Sequence, residues 1–151
     1  MINKILNNAN ESLKKGYYYT ASTEFAEAYV LGGRKEGIEI NPRLLFKQEH
    51  FKLIFNGIKK DYEKIINVIS FGTRWDEDEL LLVFTYYIKL KLLTEYFAVY
   101  EIDIIIDFEK IDILLNKIDK RKNKLTITIV RNLLKKNWKT VQLNKLTDFF
   151  L

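Results

Sequence analysis

The stretch "TRWDEDELLLVFTYYIKLKLLTEYFAVY", residues 73–100, contains neither glycine nor proline. The same is true of the whole tract from Thr73 to Leu151, because all six glycines lie at or before Gly72 and the only proline is Pro42. A β-hairpin array needs glycine-type turns at short intervals. A tract of this length without them therefore favours helices that are joined by polar corners.

Helical spacing and helix-start signals also occur in the first half of the chain. Asn41 is a favourable N-cap and Pro42 suits the first helical position, so "NPRLLF" predicts a helix start. Gly32–Gly33 and Gly72 are expected to end helices. Two apolar stripes have the helical period, one of Ile5, Leu6, Ala9 and Leu13 and the other of Ile58, Tyr62, Ile65, Ile66 and Ile69. The sequence predicts an all-α single domain, residues 1–151, with about seven or eight helices.

The most apolar part of the chain lies in residues 80–100 and predicts a buried helix. Lys89, Lys91 and Glu95 interrupt it, whereas a membrane span of about twenty residues rarely carries three charges near its middle. Thr73 predicts the N-cap of this helix, and the acids after it suit the positive end of the helix dipole. No continuous apolar segment occurs near the N-terminus, so we expect neither a signal peptide nor contact with a membrane.

The composition is that of a globular protein and excludes several kinds of site. The chain has 151 residues, of which 48% are hydrophobic and 30% charged, and it contains no cysteine. Disulfides, thiolate metal sites and cysteine nucleophiles are therefore excluded. A chain without cysteine fits a reducing compartment, so we expect a cytoplasmic location. The abundance of Ile, Lys, Asn, Tyr and Phe matches AT-rich codons, which hints at a low-GC genome or a mobile element.

Residues 101–108, "EIDIIIDF", alternate apolar and acidic side chains as a strand does. We expect a short strand or an extended segment near residues 101–106. One functional interpretation is a metal-dependent nuclease core, in which Asp103 and Asp107 bind the metal and Glu109 and Lys110 assist. That chemistry needs several strands that bring carboxylates together, and the chain offers few other strand candidates. The alternative is a buried apolar stretch with its acids in water.

Residues 15–33, "KGYYYTASTEFAEAYVLGG", predict the corner of a helical hairpin. Small and large residues alternate at positions that let two antiparallel helices pack closely, namely Ala9, Gly16, Tyr18, Ala21, Phe25 and Ala28. Over residues 5–31 this spacing resembles one tetratricopeptide unit. The resemblance implies a helix–turn–helix module and a protein-binding scaffold. We expect Tyr18, Ala21, Phe25 and Ala28 in the core, while Tyr17 and Tyr19 point elsewhere and are candidate surface contacts.

Positive charge is concentrated in residues 117–139, "KIDKRKNKLTITIVRNLLKKNWK". This segment holds nine basic residues against the single acid Asp119, a charge of +8 in a chain of net charge +5, so the remainder carries −3. Such asymmetry is typical of a surface that meets phosphate or an acidic partner. Trp138 lies among the lysines, where it suits stacking on a base. The candidate nucleic-acid-binding residues are Lys120, Arg121, Lys122, Lys124, Arg131, Lys135, Lys136, Trp138 and Lys139.

The only histidine, His50, follows Arg43 by seven residues, and two turns of one helix would place both on nearly the same face. An arginine and a histidine with a few residues between them resemble the RNA-cleaving motif of HEPN ribonucleases, which are all-α and often dimeric. The resemblance implies that His50 transfers protons, that Arg43 stabilises phosphate charge and that the chain forms a homodimer. Leu44 departs from the family pattern, which usually has a polar residue after the arginine.

The sequence as a whole favours a protein that binds over one that catalyses. The leading interpretation is a small intracellular adaptor or effector, without a cofactor, whose basic C-terminal third meets nucleic acid (RNA or DNA) or an acidic protein surface. Two alternatives remain open. One is a metal-independent HEPN-like ribonuclease that uses Arg43 and His50, and the other is a scaffold that binds only proteins and resembles tetratricopeptide modules.

Overall fold

The computed structural model describes residues 2–33, 40–71, 77–102 and 104–119, and the regular structure in these residues is entirely helical. The all-α prediction is confirmed, while the predicted total of seven or eight helices stays a prediction. A π-helical segment, Tyr29–Gly33, directly follows the second helix. The six α-helices of the described residues are α1 (Ile2–Lys14), α2 (Tyr18–Ala28), α3 (Pro42–Leu45), α4 (Gln48–Phe71), α5 (Glu77–Val99) and α6 (Phe108–Asp119).

Helices α1 and α2 form the predicted hairpin, and Gly16 makes the corner. Gly16 has a φ of +79°, in the left-handed region that favours glycine. Its N–H donates to the carbonyl of Leu13 (3.1 Å), and the N–H of Tyr17 donates to the carbonyl of Ser12 (2.9 Å). These two bonds form a Schellman motif, which satisfies the last carbonyls of α1 and turns the chain toward α2.

Helix α3 starts as predicted but ends after one turn. Asn41 caps it, because its side-chain oxygen accepts a hydrogen bond from the N–H of Arg43 (2.9 Å), and Pro42 occupies the first turn. Phe46 then adopts an extended conformation (φ −121°, ψ 141°) and is almost fully buried. A new helix, α4, begins at Gln48.

The chain divides into two compact units, each with its own buried apolar residues. Unit 1 comprises Met1–Lys60 and Leu90–Ile105, and unit 2 contains residues 61–89 and 106–119 of the described part. The prediction of one domain over residues 1–151 stays a prediction. In unit 1 the buried side chains include Ala9, Ala21, Phe25, Ala28, Ile54, Ile58, Leu93, Tyr96 and Phe97. In unit 2 they include Ile65, Ile69, Val83, Phe84, Ile88, Ile111 and Leu115.

Aromatic rings form much of the core of unit 1. Phe97 packs edge-on against Phe51 and Phe55, with centroid distances of 6.4 and 6.0 Å. Tyr96 lies fully buried beside Tyr29 (5.5 Å), and its hydroxyl donates a hydrogen bond to the carbonyl of Ile40. Burial raises the pKa of Tyr96, with the neighbouring tyrosines adding to the effect. The phenol therefore stays neutral and ties α5 to the start of α3.

The charged residues of α5 do not prevent its burial. In unit 2 the ammonium group of Lys89 lies 2.9 Å from a carboxylate oxygen of Asp61, and both side chains are largely buried. The pair thus gives this lysine a partner of opposite charge. No helix in the described part of the chain has the length and apolar composition that a bilayer crossing requires.

The segment between α5 and α6 forms no strand in its described residues. Ile102 and residues 104–107 have no regular secondary structure. The predicted alternation is nevertheless visible in their burial, since Ile102, Ile104 and Ile106 are half-buried while Ile105 and Asp107 are exposed. The prediction of a strand is therefore wrong for these residues. An irregular segment can also bury every second side chain, because alternate burial does not require a neighbouring strand.

Candidate functional site

The predicted nucleic-acid-binding residues lie outside the described residues. All nine of them, from Lys120 to Lys139, belong to the part of the chain after residue 119. The interface therefore stays a prediction. The other predicted site residues, Arg43 and His50, are described.

Arg43 and His50 lie on different helices. Arg43 is exposed on α3, whereas His50 is in the first turn of α4, and the extended Phe46 separates the two helices. The expectation that two turns of one helix carry both side chains is therefore wrong. The ribonuclease hypothesis does not depend on a continuous helix and stays a hypothesis.

His50 holds the start of α4. Its Nδ1 accepts a hydrogen bond from the N–H of Lys47 (3.2 Å), the residue that precedes the helix. This is the bond that Glu or Gln makes in a capping box. The imidazole stacks on the ring of Tyr18 with a centroid distance of 3.6 Å and an angle of 15°. Accepting this bond requires an unprotonated Nδ1, so the ring proton lies on Nε2, which is 3.8 Å from a carboxylate oxygen of Glu49.

The three tyrosines at the corner of the hairpin have different environments. Tyr17 is 61% exposed, so the structure leaves it accessible as a surface contact. Tyr18 is half-buried against His50. Tyr19 is half-buried as well. Its ring packs against Gly57 so closely that a Cβ added to Gly57 would lie only 2.6 Å from the ring carbons. The predicted core positions Ala21, Phe25 and Ala28 are confirmed as buried.

The acids proposed for a nuclease have no metal-binding arrangement in the described residues. Asp107 caps α6, because its carboxylate accepts a hydrogen bond from the N–H of Lys110 (3.0 Å). Within the described ranges no group of three or more His, Cys, Asp or Glu side chains surrounds a common point. Asp103 lies outside the described residues.

Unit 2 carries a small hollow with a mixed polar and apolar lining, and a cluster of charges. The hollow, of about 250 Å³, is lined by Tyr62, Glu63, Ile66, Asn67 and Lys110. The ring of Tyr86 lies under two ammonium groups, that of Lys64 at 5.5 Å and that of Lys89 at 5.7 Å. The hydroxyl of Tyr86 raises the pKa of Lys64, which is fully exposed. These contacts fit a solvated, internally balanced surface.

A second hollow, in unit 1, was not predicted from the sequence. It has a volume of about 260 Å³, lies at the C-terminal end of α5 and is lined by Thr94, Ala98, Glu101, Ile102 and Ile104. The sequence signal that locates it is the apolar alternation of residues 102–106, which places isoleucines beside the helix end. Its lining combines three apolar side chains with the hydroxyl of Thr94 and the carboxylate of Glu101.

Comparison with known proteins gives no relative for this chain. No protein-family model matches it, and neither curated proteins nor solved structures give a significant match. The resemblances to tetratricopeptide units and to HEPN ribonucleases therefore stay hypotheses.

Proposed function

We propose that this chain is a non-enzymatic binding protein whose basic C-terminal third contacts nucleic acid. One observation supports the proposal, namely the distribution of charge. Residues 120–151 hold nine basic residues against one acid, whereas the described residues hold 13 basic residues against 15 acids, a net charge of −2. The positive charge of the protein is therefore concentrated in one region, as in proteins that neutralise phosphate.

In this proposal the basic side chains neutralise phosphate and Trp138 stacks on a base. Arg131, Lys135 and Lys139 recur at intervals of four, and Lys136 adds a fourth charge. Contacts of this kind are independent of base sequence, so the proposal is for affinity without strong sequence preference. Stacking on an aromatic ring contributes about 1–3 kcal/mol per base and needs an unpaired base. Single strands should therefore bind more tightly than duplexes of equal charge density.

The experiment compares two triple variants that remove the same number of charges. Lys135, Lys136 and Lys139 are changed to Gln in one, and Lys52, Lys59 and Lys60, which are exposed on α4, in the other. The first variant should lose affinity for labelled RNA and DNA, whatever their sequence. The second should lose much less, because it changes the net charge but not the proposed contact. Equal losses would show that affinity follows net charge alone, and the proposed location would be wrong.

Two further readouts of the same experiment address the alternatives. If the wild-type protein cleaves the RNA and His50→Ala does not, the result would favour the HEPN-like ribonuclease. Binding to an acidic protein surface but to neither RNA nor DNA at low salt would favour an adaptor for proteins. The absence of any such binding would leave the tetratricopeptide-like scaffold as the working hypothesis.

A further inference from the structure

The imidazole of His50 can change its charge near neutral pH, and it also holds the start of a helix. It belongs to the only histidine of the chain, and histidine is the side chain that ordinarily titrates between about pH 5 and pH 8. Lys47 occupies the N-cap position of α4, because its carbonyl accepts hydrogen bonds from the N–H groups of His50 (2.9 Å) and Phe51 (3.3 Å). The side chain of Lys47 has no acceptor with which to cap the helix. The bond from its N–H to Nδ1 of His50 therefore takes the place of a side-chain cap.

Three contacts surround the imidazole, and they respond differently to a proton on Nδ1. The N–H of Lys47 lies 3.2 Å from Nδ1, and two N–H groups cannot share a hydrogen bond, so this contact requires the neutral ring. The ring of Tyr18 on α2 is stacked on the imidazole at 3.6 Å, and the face of a tyrosine ring also attracts a cation. A carboxylate oxygen of Glu49 on α4 lies 3.8 Å from Nε2, close enough for an ion pair with the charged ring. Tyr18 and Glu49 are the titratable groups that contact His50 in the described part of the chain.

The neutral ring and the charged ring therefore have different partners in the same place. The neutral ring accepts the hydrogen bond from Lys47 and stacks on Tyr18. The charged ring keeps Tyr18, gains the ion pair with Glu49 and loses Lys47, whose N–H can turn to water because this residue is exposed. Only 15% of the His50 side chain is exposed, so the contacts with Tyr18 and Glu49 replace much of the water that would otherwise stabilise the charge.

We propose that His50 is a pH-sensitive switch, which closes the first turn of α4 when the ring is neutral and opens it when the ring is protonated. The opening is confined to this turn, because Phe46, which precedes Lys47, is almost fully buried and packs edge-on against Phe25 and Phe51, at 6.2 Å from each. The switch needs neither nucleic acid nor a substrate, so it is independent of the proposed function.

NMR spectroscopy of the full-length protein tests the switch between about pH 5 and pH 8. The Cα chemical shifts of Gln48 and Glu49 report whether the first turn is helical. The temperature dependence of the amide proton shift of Lys47 reports whether its N–H is hydrogen-bonded. Both should change from the values of a closed turn to those of an open turn as the pH falls. The change should follow the titration of the His50 ring, whose signals have no overlap with those of another histidine.

Three variants separate the switch from general effects of pH. His50→Gln keeps an acceptor at this position but does not titrate, so its first turn should stay closed over the whole range. Glu49→Gln removes the carboxylate that pairs with the charged ring, so its first turn should open only at a lower pH than in the wild type. Glu63→Gln removes the same charge from an exposed position farther along α4 and should leave the transition unchanged.

The proposal is overturned if the Cα shifts of the wild type stay helical while the His50 ring titrates, because protonation would then not open the turn. A pH transition of the same size in His50→Gln would also overturn it, since a group other than the imidazole would be responsible. Finally, equal transition pH values for Glu49→Gln and Glu63→Gln would show that Glu49 does not pair with the charged ring, and the proposed exchange of partners would be wrong.

Discussion

Helices α1 and α5 end with the same hydrogen-bonding pattern but with different residues at the left-handed position. At the end of α5 the N–H of Glu101 donates to the carbonyl of Ala98 and the N–H of Ile102 to that of Phe97, both at 3.1 Å. Gly16 occupies it after α1 and Glu101 after α5. A non-glycine residue in this conformation costs about 1–3 kcal/mol, while glycine adds some entropy to the unfolded chain. Glu101→Gly should therefore stabilise the fold by about 1 kcal/mol, and Gly16→Ala should destabilise it by a similar amount.

Thermal unfolding checks this pair of changes. For a protein of this size, about 1 kcal/mol moves Tm by roughly 2–4 °C. No atom lies within 4 Å of the position of a Cβ at Gly16, so backbone strain is the only cost that the structure gives for Gly16→Ala. An unchanged Tm in Gly16→Ala would contradict the assignment of a left-handed corner.

His50 should matter for stability through its hydrogen bond to Lys47. His50→Ala removes the bond from the N–H of Lys47, which caps α4, and the stacking on Tyr18, and it should destabilise the protein by about 1–2 kcal/mol. His50→Gln should cost less, because a glutamine oxygen at this position also accepts the bond. Chemical denaturation of the two variants measures the difference. If His50→Ala and His50→Gln destabilise the protein equally, then the stacking of the imidazole ring on Tyr18, and not the hydrogen bond to Lys47, stabilises this region.

The residue-level features divide into those that the sequence signals and those that it does not. Asn41 and Pro42 start α3 as predicted, because a cap followed by proline is a local signal. The end of α3 has no such signal, since "LLFKQEH" contains neither glycine nor proline. Phe46 is extended there and almost fully buried, an outcome of tertiary packing that local propensity does not encode.

At the scale of helices, the contact of Tyr19 on α2 with Gly57 on α4 should depend on the absence of a side chain at Gly57. A Cβ there would lie 2.6 Å from the ring of Tyr19, so Gly57→Ala should destabilise the protein by about 1–3 kcal/mol. This loss would exceed any gain in helix propensity from alanine, which is about 1 kcal/mol. Denaturant titration measures the effect.

A double variant tests whether this clash has the proposed cause. Tyr19→Ala removes the ring that the new methyl group would meet. The cost of Gly57→Ala should therefore largely disappear in the Tyr19→Ala background, since residues in contact are not additive. Additive costs in the double variant would show that Gly57 is needed for another reason.

The carboxyl group of Glu27 on α2 should make the stability of the protein depend on pH. Burial, and secondarily the carboxylate of Glu24, raise the pKa of Glu27. A folded state that holds this proton more tightly than the unfolded state loses stability as pH rises above the ordinary glutamate pKa. Glu27→Gln should therefore raise Tm near neutral pH and have a smaller effect below the ordinary glutamate range. Thermal unfolding at several pH values measures this, and a gain that does not change with pH would contradict the assignment.

At the element scale the sequence predicts helices and burial better than it predicts hydrogen bonding. The alternation of residues 102–106 correctly marks which side chains are half-buried, yet the described residues form no strand. An apolar–polar alternation with a period of two residues shows only that successive side chains have different surroundings, and not that the backbone pairs with another strand. The pairing of Lys89 with Asp61 is likewise absent from the local pattern, because the partners are far apart in the chain.

For the whole molecule, the all-α class was predictable and the location of a site was not. A tract without glycine or proline and repeated apolar stripes are properties of the chain itself, so they indicate the fold class. The alternation of residues 102–106 marks the isoleucines of the hollow at the end of α5, but the hollow itself depends on where Glu101 and Ile104 lie after folding, which no motif encodes. The basic segment is visible only as composition, so the sequence predicts its charge and not its geometry.

The most direct test of the proposed function is the salt dependence of RNA binding. For single strands, the logarithm of affinity falls with the logarithm of salt concentration by about 0.7 for each phosphate contact. Replacing Lys135, Lys136 and Lys139 by Gln should therefore make the slope shallower by about 2, while the matched changes at Lys52, Lys59 and Lys60 should leave it nearly unchanged. Equal slopes for wild type and the first variant would contradict the claim that the basic segment contacts phosphate.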